Sequence, residues 1–176
     1  MIPPINFKKW INENRHLLTP PVGNQVVYKD SEFIIMVVGG PNARKDFHYN
    51  EGEEFLYQIE GNMQLQIVKN GKVRVVDITA GEIFLLPSKV PHSPQRGPKT
   101  VGLVVERVRK ENELDACMWF CENCNNQLHK ADFHLEDIVE QLPVLLDNFY
   151  DNEQLTSCSE CGTKMSRPAL KKATDL

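Results

Sequence analysis

The sequence lacks any long apolar run: among its 176 residues the longest stretches, such as 33–38, reach six. A membrane-spanning helix needs about 20, so insertion into a bilayer is not expected. An excess of basic charge is also missing. Lys and Arg number 20 against 24 Asp and Glu, for a net charge of −4, whereas nucleic acid as the main partner would call for a basic patch. No Asn-x-Ser/Thr sequon occurs, and the opening Met1-Ile2-Pro3-Pro4-Ile5-Asn6 carries neither a basic region nor an apolar core. No signal peptide is read there, and the cytoplasm is the expected compartment. Internal repeats and low-complexity tracts are absent as well.

What is present is near average. The 41% hydrophobic and 25% charged content suits a globular chain, with room for one domain and a small attachment. At this length folding buries about 70% of the surface of the unfolded chain, so no covalent staple is required. Five cysteines make an odd count for a disulfide framework, and four of them fall into two Cys-x-x-Cys pairs. Without a secretory signal that arrangement reads as thiolates holding a metal.

Along the chain, 6–18 has helical spacing: Asn6 is a plausible N-cap, Phe7, Trp10, Ile11, Leu17 and Leu18 fall on one side, and Pro20-Pro21 ends the pattern. From there to about Arg109 the vocabulary is that of strands, at 26–28, 33–38, 83–86 and 101–108, with turn chemistry at Gly39-Gly40-Pro41-Asn42. The sharpest local signal is Asn70-Gly71, flanked by Met63, Leu65 and Ile67 on one side and Val73 and Val75 on the other. Asn-Gly tolerates the positive φ that a type I′ turn needs, so a hairpin is predicted. Many short strands point to a sandwiched or closed β-fold. The charged run 109–113 suggests a boundary, dividing 1–110 from a module at 111–176. Within that module 135–148 is helical in pattern, with Leu135, Ile138, Val139, Leu142, Leu145 and Leu146 on one face, and Pro143 is expected to kink or split it.

Two constellations carry chemistry. His48, Glu54 and His92 offer two imidazoles and a carboxylate, a set that suits Fe(II), Mn or Zn with positions left open. Cys121-Glu122-Asn123-Cys124 and Cys158-Ser159-Glu160-Cys161, separated by 33 residues, form two knuckles that together make a closed tetrahedral four-thiolate site. Gly162 suits the tight turn after the second knuckle, and Cys117 is expected to be a small buried hydrophobe. Zn and Fe are not separable by ligand type.

The residues around the first constellation resemble the two motifs of the cupin superfamily. His48, Asn50, Glu54 and Gly61 fall on the first motif, with asparagine in place of its second histidine; Gly81, Pro87 and His92 fall on the second, where Lys89 and Arg96 are departures. The implied fold is mainly β: a single jelly-roll-like cupin barrel with an N-terminal helix and a small C-terminal four-cysteine metal module. On that alignment Arg96 points into the barrel mouth, where a buried guanidinium wants an anion. Glu106, an acid on an apolar strand, either pairs with an arginine or accepts from a substrate.

A cupin followed by a rubredoxin-like tail is similar to the short 3-hydroxyanthranilate 3,4-dioxygenases of bacteria and fungi. The carriers are Pro20-Pro21-Val22-Gly23-Asn24, Val38-Gly39-Gly40-Pro41-Asn42-Ala43-Arg44, Glu54-Phe55-Leu56-Tyr57-Gln58, Leu85-Leu86-Pro87, Val90-Pro91-His92-Ser93-Pro94, Val104-Val105-Glu106 and the knuckles. The resemblance implies Fe(II) on His48, Glu54 and His92, and a second iron (or zinc) on Cys121, Cys124, Cys158 and Cys161. It implies 3-hydroxyanthranilate held by Arg96, Glu106 and Glu54, dioxygen beside Arg44, and a homodimer. The competing expectation is a non-catalytic cupin that binds a small anion and docks proteins through its cysteine-rich tail.

Overall fold

The computed structural model describes residues 3–19, 23–28, 31–136 and 138–169. Helix α1 (Phe7–Asn14) begins as expected, with the Asn6 side chain accepting from the Lys9 amide at 3.0 Å, a cap worth about 1 kcal/mol. It is shorter than the expected span, because the chain tightens into a 3-10 turn at Arg15–Leu17. Ile11 and Leu18 are buried against Val37 and Val101, whereas Leu17 turns to solvent. Pro20-Pro21-Val22 lie outside the described residues.

Eleven strands follow among the described residues. One antiparallel sheet is built from β1 (Asn24–Val26), β2 (Phe33–Gly39), β4 (Glu54–Glu60), β7 (Ile83–Leu86) and β9 (Val101–Arg107), in the order β1-β2-β9-β4-β7. The other takes β3 (Asp46–Tyr49), β5 (Met63–Lys69), β6 (Lys72–Ile78), β8 (His92–Arg96), β10 (Asp115–Phe120) and β11 (Gln127–Phe133), in the order β11-β10-β3-β8-β5-β6. Successive strands such as β3, β4 and β5, or β7, β8 and β9, alternate between the sheets, which closes them into a jelly-roll-like barrel.

The predicted hairpin joins β5 to β6. Lys69 pairs with Lys72, and Asn70 and Gly71 hold φ of 54° and 69°, the left-handed pair of a type I′ turn. Leu56, Leu86 and Val104 from one sheet meet Met63, Leu65 and Ile78 from the other between the layers. Each such side chain contributes about 1.5–3 kcal/mol by leaving water. Helix α1 covers Val37 and Val101 on the outer face of the first sheet.

Beyond residue 110 the chain first returns to the barrel: β10 pairs with β3 on one side and β11 on the other. Helix α2 (Ile138–Tyr150) then packs Leu142, Leu145, Leu146 and Phe149 around Trp119 and Cys117. Phe149 stacks on Trp119 with ring centres 4.3 Å apart. Leu135 precedes this helix, and the side chains of Ile138 and Val139 lie outside the described residues. Pro143 sits inside α2 without splitting it. Its missing N–H removes one backbone bond, and apolar packing around Phe149 holds the helix together across the gap. A short helix α3 (Glu153–Thr156) precedes the second knuckle. Among the described residues no helix is long and apolar enough to cross a membrane.

Candidate functional site

Side chains of period two place the first constellation. His48 on β3 and His92 on β8 are direct cross-strand partners, so both rings face the interior of the barrel. Glu54 opens β4 from the opposite sheet, where it pairs with Glu106 of β9. Glu54 Oε1 lies 3.2 Å from His92 Nε2 and 3.6 Å from His48 Nδ1. Ligand atoms at right angles and about 2.1 Å from a common ion sit about 3 Å apart. This donor set therefore fits a divalent metal, and the three residues form one of two ligand clusters among the described residues.

Each ring is fixed from behind. His92 Nδ1 lies 3.0 Å from the Val90 carbonyl, which can only accept, so Nδ1 donates there and Nε2 is the ring atom turned to Glu54. His48 Nε2 lies 2.6 Å from Asp115 Oδ2, leaving Nδ1 on the Glu54 side. Burial disfavours the His48 imidazolium, but Asp115 and Glu54 outweigh it and raise the pKa to about 9. Burial likewise opposes the Glu54 carboxylate, yet the His92 and His48 rings hold it well below its ordinary range. Glu106 moves the other way: burial and the charge of Glu54 push its carboxyl up, against the pull of Arg109. Asn50, at the place of the missing histidine, donates its amide to Glu54 Oε1 at 2.7 Å and to Glu106 Oε2 at 3.2 Å.

Four residues further along the same three strands lies a second layer: Arg96 on β8, Gln58 on β4 and Gly102 on β9. Arg96 is buried, as expected from its motif position. Its Nη1 donates to Gln58 Oε1 at 3.0 Å, and its Nε has no partner. A Cβ on Gly102 would stand 2.8 Å from Nη1 and 2.9 Å from Nη2, so the guanidinium rests on bare backbone. With burial uncompensated, its pKa falls to about 10. Arg44 is half-buried and held by Asp46, to which its Nε donates at 3.3 Å. Glu106 meets Arg109 Nη2 at 2.8 Å.

The cysteine knuckles repeat one another. The Asn125 amide donates to the Cys121 carbonyl and the Gly162 amide to the Cys158 carbonyl, both at 2.9 Å. The residue after each pair, Asn125 or Gly162, has φ of 62° or 72°. Sulfur atoms Cys121–Cys161 and Cys124–Cys158 lie 3.5 and 3.6 Å apart, close to the about 3.8 Å edge of a tetrahedron with 2.3 Å metal–sulfur bonds. Side-chain bonds from Thr163 and Asn123 lower the Cys161 thiol to about 5, favouring the ligating thiolate. Cys117, fully buried and pushed by burial up to about 12, is the inert hydrophobe expected.

Sequence reasoning missed Arg109 and Asp115. They lie six residues apart around a loop, and no periodicity links them. Asn50 was legible as the asparagine in place of the motif's second histidine, but not its amide bonds to Glu54 and Glu106.

Two imidazoles and a carboxylate gathered between two facing sheets, with four cysteine sulfurs gathered outside the barrel, define a jelly-roll-like β-protein with two groups of residues able to hold metal ions. The comparisons narrow this further. Residues 1–150 match the model of the 3-hydroxyanthranilic acid dioxygenase family, and the chain belongs to that family. It is 53% identical over 162 residues to the 3-hydroxyanthranilate 3,4-dioxygenase of Xanthomonas euvesicatoria pv. vesicatoria (strain 85-10), covering 92% of both chains. Identity to the enzyme of the same name from Bacillus thuringiensis (strain Al Hakam) is 46% over 158 residues, covering 89% of this chain and 88% of the other. Among solved structures, a cupin-2 domain containing protein from Shewanella frigidimarina NCIMB 400 matches with a TM-score of 0.47 and 18% identity, over 58% of this chain and 93% of that one.

Proposed function

We infer that this chain is a ring-cleaving dioxygenase that converts 3-hydroxyanthranilate and O2 to 2-amino-3-carboxymuconate semialdehyde. That product closes without an enzyme to quinolinate, a precursor of NAD. The observation that carries this reading, beside family membership, is the buried Arg96 guanidinium without an anionic partner, on the same face of β8 as His92. Four strand residues span about 13 Å, a gap that an arginine side chain and a single aromatic ring fill together. A substrate carboxylate supplies the charge that Arg96 lacks.

His48, Glu54 and His92 hold Fe(II) in this reading, which suits their donor set. A bound Fe(II) supplies the redox chemistry by which a singlet aromatic ring reacts with triplet dioxygen. The protein's own groups bind and orient. Arg96 fixes the carboxylate, and Asn50 holds Glu54 and Glu106 at a set separation. Glu106, its carboxyl pushed up by burial and by Glu54, exchanges a proton with the substrate's amino or hydroxyl group. Arg44, fixed by Asp46, favours negative charge developing on oxygen.

The four cysteines hold a second iron, or zinc, in a closed site with no place for substrate. Residues 1–110 carry the catalytic groups and 111–176 the sulfur site, with β10 shared between them. The enzyme works as a cytoplasmic homodimer. Anaerobic loading with Fe(II) followed by oxygen-uptake measurement with 3-hydroxyanthranilate tests the assignment. Uptake stoichiometric with substrate loss is expected; iron-loaded protein that consumes no oxygen would refute it.

A further inference from the structure

Asp115 has no part in the chemistry above, yet it is fully buried and touches His48. It opens β10 on the face that also carries Cys117, the cross-strand partner of His48. Arg109 grips its carboxylate in a fork, Nε to Oδ1 at 2.6 Å and Nη2 to Oδ2 at 2.7 Å. The same Nη2 lies 2.8 Å from Glu106 Oε2, and Nη1 donates to the Arg107 carbonyl at 3.0 Å. Every nitrogen of this guanidinium is used, and it stands between two buried carboxylates.

A wall position needs no acid. The next two residues on this face, Cys117 and Trp119, are apolar and fully buried. Burying a carboxylate is costly unless charge and hydrogen bonds compensate it, so the acid needs a reason. A carboxylate that accepts from Nε2–H fixes the ring with Nδ1 turned to Glu54, the atom that would ligate once a metal displaces its proton. For His92 the Val90 carbonyl does the same work.

We propose that Asp115 is the positioning residue for His48, and that Arg109, holding Asp115 and Glu106 on one guanidinium, fastens the metal-binding ring and the substrate-facing acid into a single unit. The proposal rests on the ligand role assigned to His48 above.

The test uses the full-length protein loaded at both sites, with metal counted site by site after dialysis against chelators of graded strength. The cysteine-bound metal is the internal control. Asp115→Asn should weaken the barrel site about 10- to 100-fold while the sulfur site keeps its metal, and Asp115→Glu should recover part of the loss. Arg109→Lys keeps the charge without the fork; it should weaken barrel metal binding and, at saturating Fe(II), raise KM for 3-hydroxyanthranilate more than it lowers kcat. Unchanged barrel affinity in Asp115→Asn overturns the proposal. So does equal loss at both sites, which marks a general folding defect. If Asp115→Asn does not fold, Arg109→Lys decides by the same two outcomes. His48→Ala separates the premise: a variant that keeps barrel metal removes the ligand role itself, whatever Asp115 does.

Discussion

Gln58 Oε1 takes a 3.0 Å hydrogen bond from Arg96 Nη1, a neutral amide facing a buried cation. Among the described residues no carboxylate pairs with that guanidinium, although most other buried charges here have partners of opposite sign. This is the cation that we propose receives the carboxylate of the substrate.

Replacing the cation should therefore be felt by the carboxylate of the substrate. Arg96→Ala is expected to cost about 2–5 kcal/mol of 3-hydroxyanthranilate binding. 2-Aminophenol, which lacks the carboxylate, should lose far less. Steady-state kinetics on both compounds checks this, and equal damage to both would show that Arg96 reads something else.

Gly102→Ala tests the seat of the same side chain. The added Cβ would meet both terminal nitrogens of Arg96 below 3.0 Å, and the guanidinium is the part able to move. The variant should fold with little change in melting temperature and show a raised KM. An unaltered KM would mean that the guanidinium does not work from this position.

Cys121→Ser or Cys158→Ser should lose the sulfur-bound metal, with any red colour if that metal is iron. Stability should fall, since apparent binding energies at structural zinc sites in small peptides run to about 10–16 kcal/mol. Turnover per barrel-bound metal should stay within a few-fold in protein that remains folded. Metal analysis beside activity separates the two effects; folded, barrel-loaded, inactive protein would assign the tail a direct part in the chemistry.

A pH effect is expected at the turn leading into β10. The side-chain hydrogen bond from Arg107 lowers the Glu113 pKa to about 2. A carboxyl depressed on folding adds stability above its unfolded value of about 4.3, and that contribution is lost as pH falls through the folded value. Wild type should melt above Glu113→Gln near neutrality, with the gap closing between about pH 4 and 2. A gap constant across that range would deny the link.

The legible parts of this molecule were those whose chemistry is local. Asn70-Gly71 carries its own backbone preference, and each knuckle is closed by the residue after its second cysteine. His48, Glu54 and His92 were legible because they fall at motif spacing. Strand β10 was not. All six of its residues are buried, with clusters on both faces, so Asp115–Phe120 shows no alternation of apolar and polar positions. The partners of Asp115 were hidden for a related reason: a contact between strands distant in sequence leaves no period to read. Pro143 does not split the helix because propensity speaks for a helix in isolation, whereas α2 leans on Trp119.

Because β10 hydrogen-bonds to β3 on one side and β11 on the other, the sulfur-bearing end is not a detachable cassette. A chain cut at residue 110 would bare the edge of β3, an invitation to stray strand pairing, and leave His48 Nε2 without its acceptor. A graft that exchanges this end between relatives must leave the six residues of Asp115–Phe120 in place. A cut beyond Phe120 would spare β3 but bare the β10 edge that β11 covers and strip Trp119 of its packing against α2.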